Sequence, residues 1–401
     1  MLKKLFFAFD KRETKIFKTV CYSQFAQGVF LIIIGSLLPF VRSTYDLSYR
    51  VGGLLMSLFS VGQVIGAMIA TIVSLKLGLK NTYILFTAAV FGGLVLVMLG
   101  GNPVYLLIVF LIMGTGRSAL ASFNNNEGNK LPGDVGVNLN VVHMLFAFGA
   151  LVAPLLVWLF TNVMAENAWK GANVGVIVLG AISILMIVKT PFLKEAGISA
   201  KKEKKTFDFG FLREKKYVVC TLMMIMYIGV ETGVVGWVAT FFLESGVIKE
   251  ENSALLASLL WAAFFIGRFC TVFLSRKLSG AQIVVILSIL AMISMVIMIS
   301  GKSLAVMLLG AFGTGLGMSG VYASALSEVS DVMNKYTFAM STFMFITSIG
   351  AIAAPYLIGE IAETHDTNTG MWVLAAFSAA QGVFSFIYAA VCKKADREVK
   401  V

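Results

Sequence analysis

The chain has 401 residues and a net charge of +11, and 58% of its residues are hydrophobic while only 13% are charged. Soluble domains carry about one quarter charged residues, so this composition excludes a soluble enzyme and indicates a protein that crosses a membrane several times. A positive charge of this size would suggest nucleic-acid binding in a soluble protein. Here we expect it to reflect the loops beside the membrane, and no nucleic-acid partner is predicted.

Successive apolar runs, each close to the roughly 20 residues that a membrane-crossing helix needs, follow one another along the chain. The runs lie at 17–41, 50–75, 82–100, 104–125, 138–161, 173–191, 217–243, 253–275, 281–300, 303–327, 337–359 and 370–392. The longest polar stretch, 192–216, separates the sixth run from the seventh. We therefore predict an all-α membrane protein of 12 spans, with an N-terminal six-helix bundle (1–191), a cytoplasmic linker (192–216), a C-terminal six-helix bundle (217–392) and a cytoplasmic tail (393–401).

The end of span 4 is marked by turn-forming residues at 124–133, a segment rich in Asn and Gly with one Pro. Such a cluster indicates a helix end followed by a turn. We interpret Asn124 to Asn126 as a cap of span 4. The alternative is that they close the cytoplasmic end of a pathway.

The positions of Lys and Arg predict the orientation in the membrane. If both termini lie in the cytoplasm, 25 of the 32 basic residues fall in cytoplasmic segments and 5 in outer loops, as the positive-inside rule requires. The N-terminus, Met1 to Lys18, is basic and amphipathic and carries no cleavable signal. We therefore expect a multi-pass protein of the bacterial inner membrane or plasma membrane with both termini cytoplasmic.

The two halves of the sequence match each other at a constant offset of 201 residues. The matched pairs include Gly28 and Gly229, Gly35 and Gly236, Gly114 and Gly315, Gly116 and Gly317, Gly149 and Gly350, and Pro154 and Pro355. Because an even number of spans separates the copies, both halves have the same orientation. This predicts two parallel six-helix pseudo-repeats related by an axis along the membrane normal.

Several short motifs accompany this repeat. They are Tyr227 to Glu231 with Gly236 and Trp237 in span 7, Trp261 with Gly267 and Arg268 in span 8, and Asn138 to His143 with Phe148 to Pro154 in span 5. On these residues the chain resembles the major facilitator superfamily over nearly its whole length, and within it the bacterial fucose-permease-like sugar transporters. The resemblance implies a transporter in which spans 1, 4, 7 and 10 line a central cavity.

Two positions depart from the pattern of that family. The loop at 74–80 lacks the acid that usually follows span 2. In span 4, sugar transporters of this kind often carry an acid a few residues before an Asn, and if that residue is Asn124 the corresponding position is Leu120. These departures argue against a coupling scheme with two carboxylates.

Glu231 is the most unusual residue because it places a carboxylate near the middle of an apolar span. At that depth a carboxylate costs several kcal/mol unless it is protonated, paired or facing water. Tyr227, one turn earlier on the same face, is a donor within reach. We predict that Glu231 carries a coupling proton or binds substrate; the alternative is a protonated Glu that only bonds a neighbouring helix.

Arg117 lies well inside span 4 and keeps its charge in proteins. One interpretation is that it binds an anionic group of the substrate, and a second is that it pairs with Glu231 across the two halves. A third is that it reaches towards the cytoplasmic interface. For Arg268 in span 8 we expect either such an interfacial position or a gate in a charge network with Glu328 and Asp331.

The remaining candidates are polar and aromatic. His143 in span 5 either bonds inside the bundle or takes part in substrate or proton handling, and no metal site is indicated because neither His nor the four cysteines have suitable neighbours. Amides and aromatic rings together suit a sugar, whose ring faces stack and whose hydroxyls take directional hydrogen bonds. The candidates of this kind are Gln24, Gln27, Tyr227, Trp237, Trp261 and Tyr322.

We therefore expect a secondary transporter, not an enzyme, that works by alternating access and takes up a sugar or sugar derivative, neutral or acidic, with a proton or sodium ion. The chain contains no nucleotide-binding loop and no cofactor is predicted. A drug or metabolite efflux antiporter and an organic-anion transporter are the alternatives, followed by a sensor or lipid scramblase on the same fold. A monomer is expected because the two halves already form a complete pathway.

Overall fold

The computed structural model describes residues 9–132, 135–164, 168–192, 208–247, 253–336 and 338–399. Within these ranges the regular structure is helical, no strand occurs, and 12 helices are long and apolar enough to cross a membrane. The predicted fold class is therefore confirmed.

The spans are numbered 1 to 12 in chain order. Spans 1 to 6 are the helices Lys11–Tyr45, Tyr49–Leu77, Leu79–Leu99, Pro103–Asn129, Val135–Val163 and Ala168–Lys189. Spans 7 to 9 are Lys215–Glu244, Ser253–Leu274 and Gly280–Ser300; span 10 consists of Leu304–Met318 and Val321–Glu328; spans 11 and 12 are Ala339–Thr364 and Thr367–Val399. A 3-10 helix, Gly210–Arg213, precedes span 7, and a short helix, Ser330–Lys335, follows span 10.

The chain divides into two compact units, Met1–Ser199 and Ala200–Val401, which we call the N-terminal and C-terminal units. The division falls inside the stretch 192–216 that was predicted as the linker. In the N-terminal unit span 2 packs along span 4 and span 1 along span 5. In the C-terminal unit the equivalent pairs, span 8 with span 10 and span 7 with span 11, pack in the same way. Each unit thus repeats the pairing of the other.

Two glycines related by the offset of 201 residues explain why these pairs approach so closely. A Cβ atom built on Gly114 would collide with the carbonyl oxygen of Phe59, and one built on Gly315 would collide with the carbonyl oxygen of Leu260. Phe59 and Leu260 are themselves separated by the same offset. Small residues allow helix backbones to approach in membranes, where lipid already solvates large apolar side chains.

Span 4 continues to Asn129, past the predicted end at about residue 125. The interpretation of Asn124 as a helix cap was therefore wrong. Asn124 lies inside the helix, is fully buried, and bonds side chains of spans 1 and 3. The helix ends only at Lys130, whose backbone N–H donates the last hydrogen bond to the Asn126 carbonyl.

Span 10 is interrupted between Met318 and Val321. Ser319 donates its hydroxyl to the Leu316 carbonyl at 2.7 Å, and the α carbon of Gly320 lies so close to Thr271 of span 8 that a Cβ atom would collide there. A Ser-Gly pair is a common cause of sharp helix kinks. The interruption therefore has a local cause in the sequence, and it releases backbone groups in the middle of the C-terminal unit.

Candidate functional site

In the C-terminal unit, Glu231 lies near the middle of span 7 and is half-buried. Tyr227, one turn earlier, is 1% exposed and donates its hydroxyl to the carbonyl oxygen of Met318 at 3.0 Å. Glu231 and Tyr322 both lie within electrostatic range of the Tyr227 hydroxyl. Tyr322 also lies within such range of Glu231. The structure therefore brings Glu231, Tyr227 and Tyr322 together at the interruption of span 10.

Arg268 of span 8 belongs to the same group of side chains. It too lies within electrostatic range of the Tyr227 hydroxyl, and its guanidinium carbon is 4.8 Å from the centre of the Phe264 ring. Phe264 in turn packs edge-on against Trp261, with 5.5 Å between ring centres. Trp261, Phe264 and Arg268 are spaced three and four residues apart, so they lie on one face of span 8. On this face the two aromatic rings are followed by a cation.

This group of four, Glu231, Tyr227, Tyr322 and Arg268, combines a carboxyl group with two hydroxyls and a permanent cation. A carboxyl group in such surroundings can accept or release a proton, because the Tyr322 hydroxyl can donate to the carboxylate and the cation favours the charged form. An interrupted helix next to it supplies backbone carbonyls, as ion and substrate sites in membrane proteins often do. The arrangement is suited to binding a proton or a polar solute.

Trp237 is placed differently from the other aromatic candidates. It is 0% exposed, and its indole N–H donates to the carbonyl oxygen of Pro355 at 3.1 Å. Pro355 lies inside span 11 and cannot use its own nitrogen as a donor. Trp237 thus joins spans 7 and 11 within the C-terminal unit.

The acids predicted to pair with Arg268 have other partners among the described residues. A carboxylate oxygen of Glu328 accepts the backbone N–H of Ala281 at 3.1 Å, in the first turn of span 9. Asp331 pairs with Lys216 at 2.5 Å, at the start of span 7. Among the described residues no ion pair joins Arg268 to Glu328 or Asp331, and Arg268 lies over Phe264 and within electrostatic range of Tyr227. Its role as a gate residue stays a prediction.

The pair of Asp331 with Lys216 is part of a cluster of charged and aromatic residues at the start of span 7. Partial burial works to raise the pKa of Asp331, but hydrogen bonds from Lys216 and from the backbone N–H of Val332 outweigh it, and the pKa lies below its usual range. Lys335 pairs with Glu214 at 3.6 Å. Phe211, fully buried, packs edge-on against Tyr217. The end of the polar stretch between the units is therefore docked on the C-terminal unit.

In the N-terminal unit, Gln24 belongs to a buried polar group centred on Asn124. The Asn124 amide nitrogen donates to Gln24 Oε1 at 2.7 Å and to Ser23 Oγ at 3.2 Å, while the Tyr83 hydroxyl donates to Asn124 Oδ1. Asn124 was not among the predicted binding residues. Its position in a span with Arg117, two turns away on the same face, was the signal that could have identified it.

Gln27 lies about one turn after Gln24 and is 1% exposed. Its amide nitrogen is buried and has no hydrogen-bond partner in the part of the chain that the structure describes. A buried amide without a partner costs roughly 1–3 kcal/mol in proteins. Gln27 is therefore a group whose hydrogen bonds a bound molecule would complete.

Arg117 is half-buried in span 4 and bonds a neutral partner. Its guanidinium donates to Gln63 Oε1 of span 2 at 2.5 Å and lies 5.7 Å from the centre of the Phe146 ring in span 5. It therefore stands among spans 2, 4 and 5 of its own unit. The predicted pairing of Arg117 with Glu231 would join the two units and stays a prediction.

His143 is exposed on the surface of the N-terminal unit, about one turn before Phe146 in span 5. Asn138, earlier in the same helix, is buried and donates to the Pro132 carbonyl at 3.2 Å, while the side chain of Asn140 lies outside the described residues. His, Cys, Asp and Glu side chains form no group of three that could hold a metal ion within the ranges that the structure describes.

Glu127 is a buried acid that the sequence reasoning missed. Its side chain is 0% exposed and pairs with Lys130 at 2.8 Å. Glu127 lies one turn after Asn124, and the offset of 201 residues places it opposite Glu328. Extending the repeat past the predicted end of span 4 would have identified it.

Comparisons with known proteins agree with this architecture. The glucose/mannose transporter GlcP of Bacillus subtilis is 24% identical over 357 residues, which cover 84% of this chain and 85% of that protein. The human sodium-dependent glucose transporter 1 is 23% identical over 429 residues, covering 95% of this chain and 80% of the human protein.

Solved structures with the same fold include two transporters. The nucleoside transporter NupG matches with a TM-score of 0.74 at 15% identity, covering 95% of this chain and 99% of NupG. The Escherichia coli fucose:proton symporter FucP matches with a TM-score of 0.60 at 18% identity, covering 94% of this chain and 99% of FucP. A family model described as Major Facilitator Superfamily matches residues 20–355. The protein therefore belongs to the Major Facilitator Superfamily, a family of membrane transporters and not of enzymes.

Proposed function

We propose that this protein takes up a sugar or sugar derivative together with a proton by alternating access. The observation that carries the proposal is Glu231, a half-buried carboxyl group in the middle of span 7 with Tyr227, Tyr322 and Arg268 around it. We place the protein in the cell membrane with both termini in the cytoplasm, because that orientation puts most Lys and Arg residues inside.

The proton is proposed because a carboxyl group inside a membrane span is stable in the neutral form and needs partners in the charged form. Tyr322 lies within electrostatic range of Glu231, and Arg268 lies within such range of the neighbouring Tyr227 hydroxyl, so we assign these two residues as the partners. A change in access to Glu231 would change the balance between the two forms, so that proton binding and release accompany each cycle. Among the similar structures, one is of a fucose:proton symporter.

A sugar is proposed as the substrate because the candidate side chains are amides, hydroxyls and aromatic rings. Trp261 offers a ring face and Gln24 and Gln27 offer amide groups, the chemistry that binds a ring with hydroxyl substituents. The two relatives at 24% and 23% identity are called a glucose/mannose transporter and a sodium-dependent glucose transporter. The second name makes sodium the alternative to the proton as the coupling ion.

The test is solute-driven proton entry into proteoliposomes that contain a pH-sensitive dye. Glucose, mannose, fucose and glucuronate are added in turn, in sodium medium and in choline medium. We expect at least one sugar to acidify the vesicle interior equally in both media. Accumulation that requires sodium and leaves the internal pH unchanged would contradict proton coupling. Transport of drugs or organic anions but of no sugar would contradict the proposed substrate.

A further inference from the structure

The orientation of one amide in span 1 is set by a chain of hydrogen bonds. Tyr83 donates to Asn124 Oδ1, so the nitrogen of Asn124 faces span 1, where it donates to Gln24 Oε1 at 2.7 Å and to Ser23 Oγ at 3.2 Å. Two amides can meet only with the donor of one facing the acceptor of the other. Gln24 is therefore held with its oxygen towards Asn124.

The nitrogen of Gln24 is consequently turned away from Asn124. It has no acceptor in the described part of the N-terminal unit, and the buried nitrogen of Gln27, about one turn away, has none there either. Residues three apart share a face of a helix. Span 1 thus presents two amide nitrogens, close together, whose hydrogen bonds the protein leaves incomplete.

We infer that Asn124 is a positioning residue: it fixes Gln24 so that the Gln24 amide donates a hydrogen bond to an oxygen atom of the transported sugar. The inference rests on the proposed function. It adds that, in one contact, the protein donates the hydrogen bond and the sugar accepts it. A sugar hydroxyl at this place accepts a hydrogen bond and does not need to donate one. Fluorine, which can accept weakly and cannot donate, should replace that hydroxyl, whereas hydrogen should not.

The test uses deoxy and deoxyfluoro analogues of the sugar identified in the proteoliposome assay, one ring position at a time. In the wild type, we expect one position at which the fluoro analogue competes for uptake and the deoxy analogue does not. Asn124→Asp presents oxygen towards span 1, so Gln24 must turn its nitrogen inwards and its oxygen to the sugar. The fluoro analogue, which cannot donate to that oxygen, should then lose its advantage, and its competition for uptake should weaken about tenfold, the loss of one hydrogen bond.

Asn173→Asp is the matched control. Asn173 is also fully buried, in span 6, and its amide nitrogen donates to the Leu94 carbonyl at 2.8 Å. The control should lose stability as the first variant does, but its analogue pattern should stay that of the wild type. If Asn124→Asp does not fold, Gln24→Glu presents oxygen to the sugar directly and should cause the same change of pattern.

The inference is wrong if Asn124→Asp or Gln24→Glu keeps the wild-type analogue pattern, or if Asn173→Asp changes it. It is also wrong if the wild type shows no position that tolerates fluorine but rejects hydrogen. In those cases sugar uptake by the wild type would still support the proposed function. If the wild type transports no sugar, the proposed function fails first and this inference fails with it.

Discussion

The hydroxyl of Tyr227 donates a hydrogen bond of 3.0 Å to the carbonyl oxygen of Met318, the residue at which the first helix of span 10 ends. This bond satisfies a backbone group that the interrupted helix leaves open. It also ties the interruption to span 7 at a point one turn from Glu231. A change in the charge of Glu231 would therefore occur next to the hydrogen bond that joins span 7 to span 10.

Tyr227→Phe removes this bond, and Tyr217→Phe is its matched control. Tyr217, on the same helix, is also buried and donates to the Ala339 carbonyl at 2.8 Å. Each variant should lose about 0.5–1.5 kcal/mol of stability, the usual worth of one hydrogen bond. Only Tyr227→Phe should also slow transport and alter its dependence on pH. Equal transport by both variants would show that the Tyr227 bond is only structural.

Gly114→Ala should destabilise the N-terminal unit by about 1–3 kcal/mol, because the added methyl group would collide with the Phe59 carbonyl. Gly92→Ala is the control, since a Cβ atom at Gly92 meets nothing within 4 Å. It should be neutral or stabilising, because Ala favours a helix more than Gly does. Thermal unfolding in detergent measures both. Equal melting temperatures would contradict the close approach of spans 2 and 4.

Asp331→Asn should lower stability at neutral pH and have no effect in strong acid. Bonds from Lys216 and the backbone hold the pKa of Asp331 below its usual range despite partial burial. A depressed pKa adds stability above the unfolded value, near pH 3.9, and this gain is lost as the pH falls through the lower folded value. The side chain of Asp331 is 64% exposed, so the difference at pH 7 should be only about 0.2–1 kcal/mol.

Unfolding of the wild type and of Asp331→Asn between pH 7 and pH 3 tests this prediction. The two curves should converge towards the acid end, and high salt should reduce their separation at pH 7. Separation that grows as the pH falls would contradict the role assigned to the pair with Lys216.

Arg268→Gln should move the pH dependence of transport towards more alkaline pH. Arg268 and Glu231 both lie near the Tyr227 hydroxyl, so removing the cation makes the charged carboxylate less favourable and protonation easier. Arg276→Gln is the control, because Arg276 also lies over a ring, 5.6 Å from the centre of Phe273, but outside span 8. Uptake measured from pH 5 to pH 9 compares them. A shift towards acid in Arg268→Gln would contradict the arrangement.

The sequence predicted the spans and the repeat because hydropathy and a constant offset depend on many residues together. It did not predict the surroundings of Asn124, because the turn-forming residues that begin at Asn124 indicate a helix end there. The helix continues through them to Asn129. Nor did it predict that Arg268 lies near Tyr227 and not near Glu328, since that depends on how two helices pack. The Ser319-Gly320 pair did contain the signal for the interruption of span 10.

The most direct test of the central claim is Glu231→Gln in proteoliposomes, with Glu363→Gln in the exposed last turn of span 11 as control. Two quantities are compared, sugar accumulation driven by a proton gradient and exchange of sugar across the membrane without a gradient. Proton coupling through Glu231 predicts that Glu231→Gln loses accumulation but keeps exchange, while the control keeps both. Full proton-driven accumulation by Glu231→Gln would contradict the claim and leave Glu231 with a structural role.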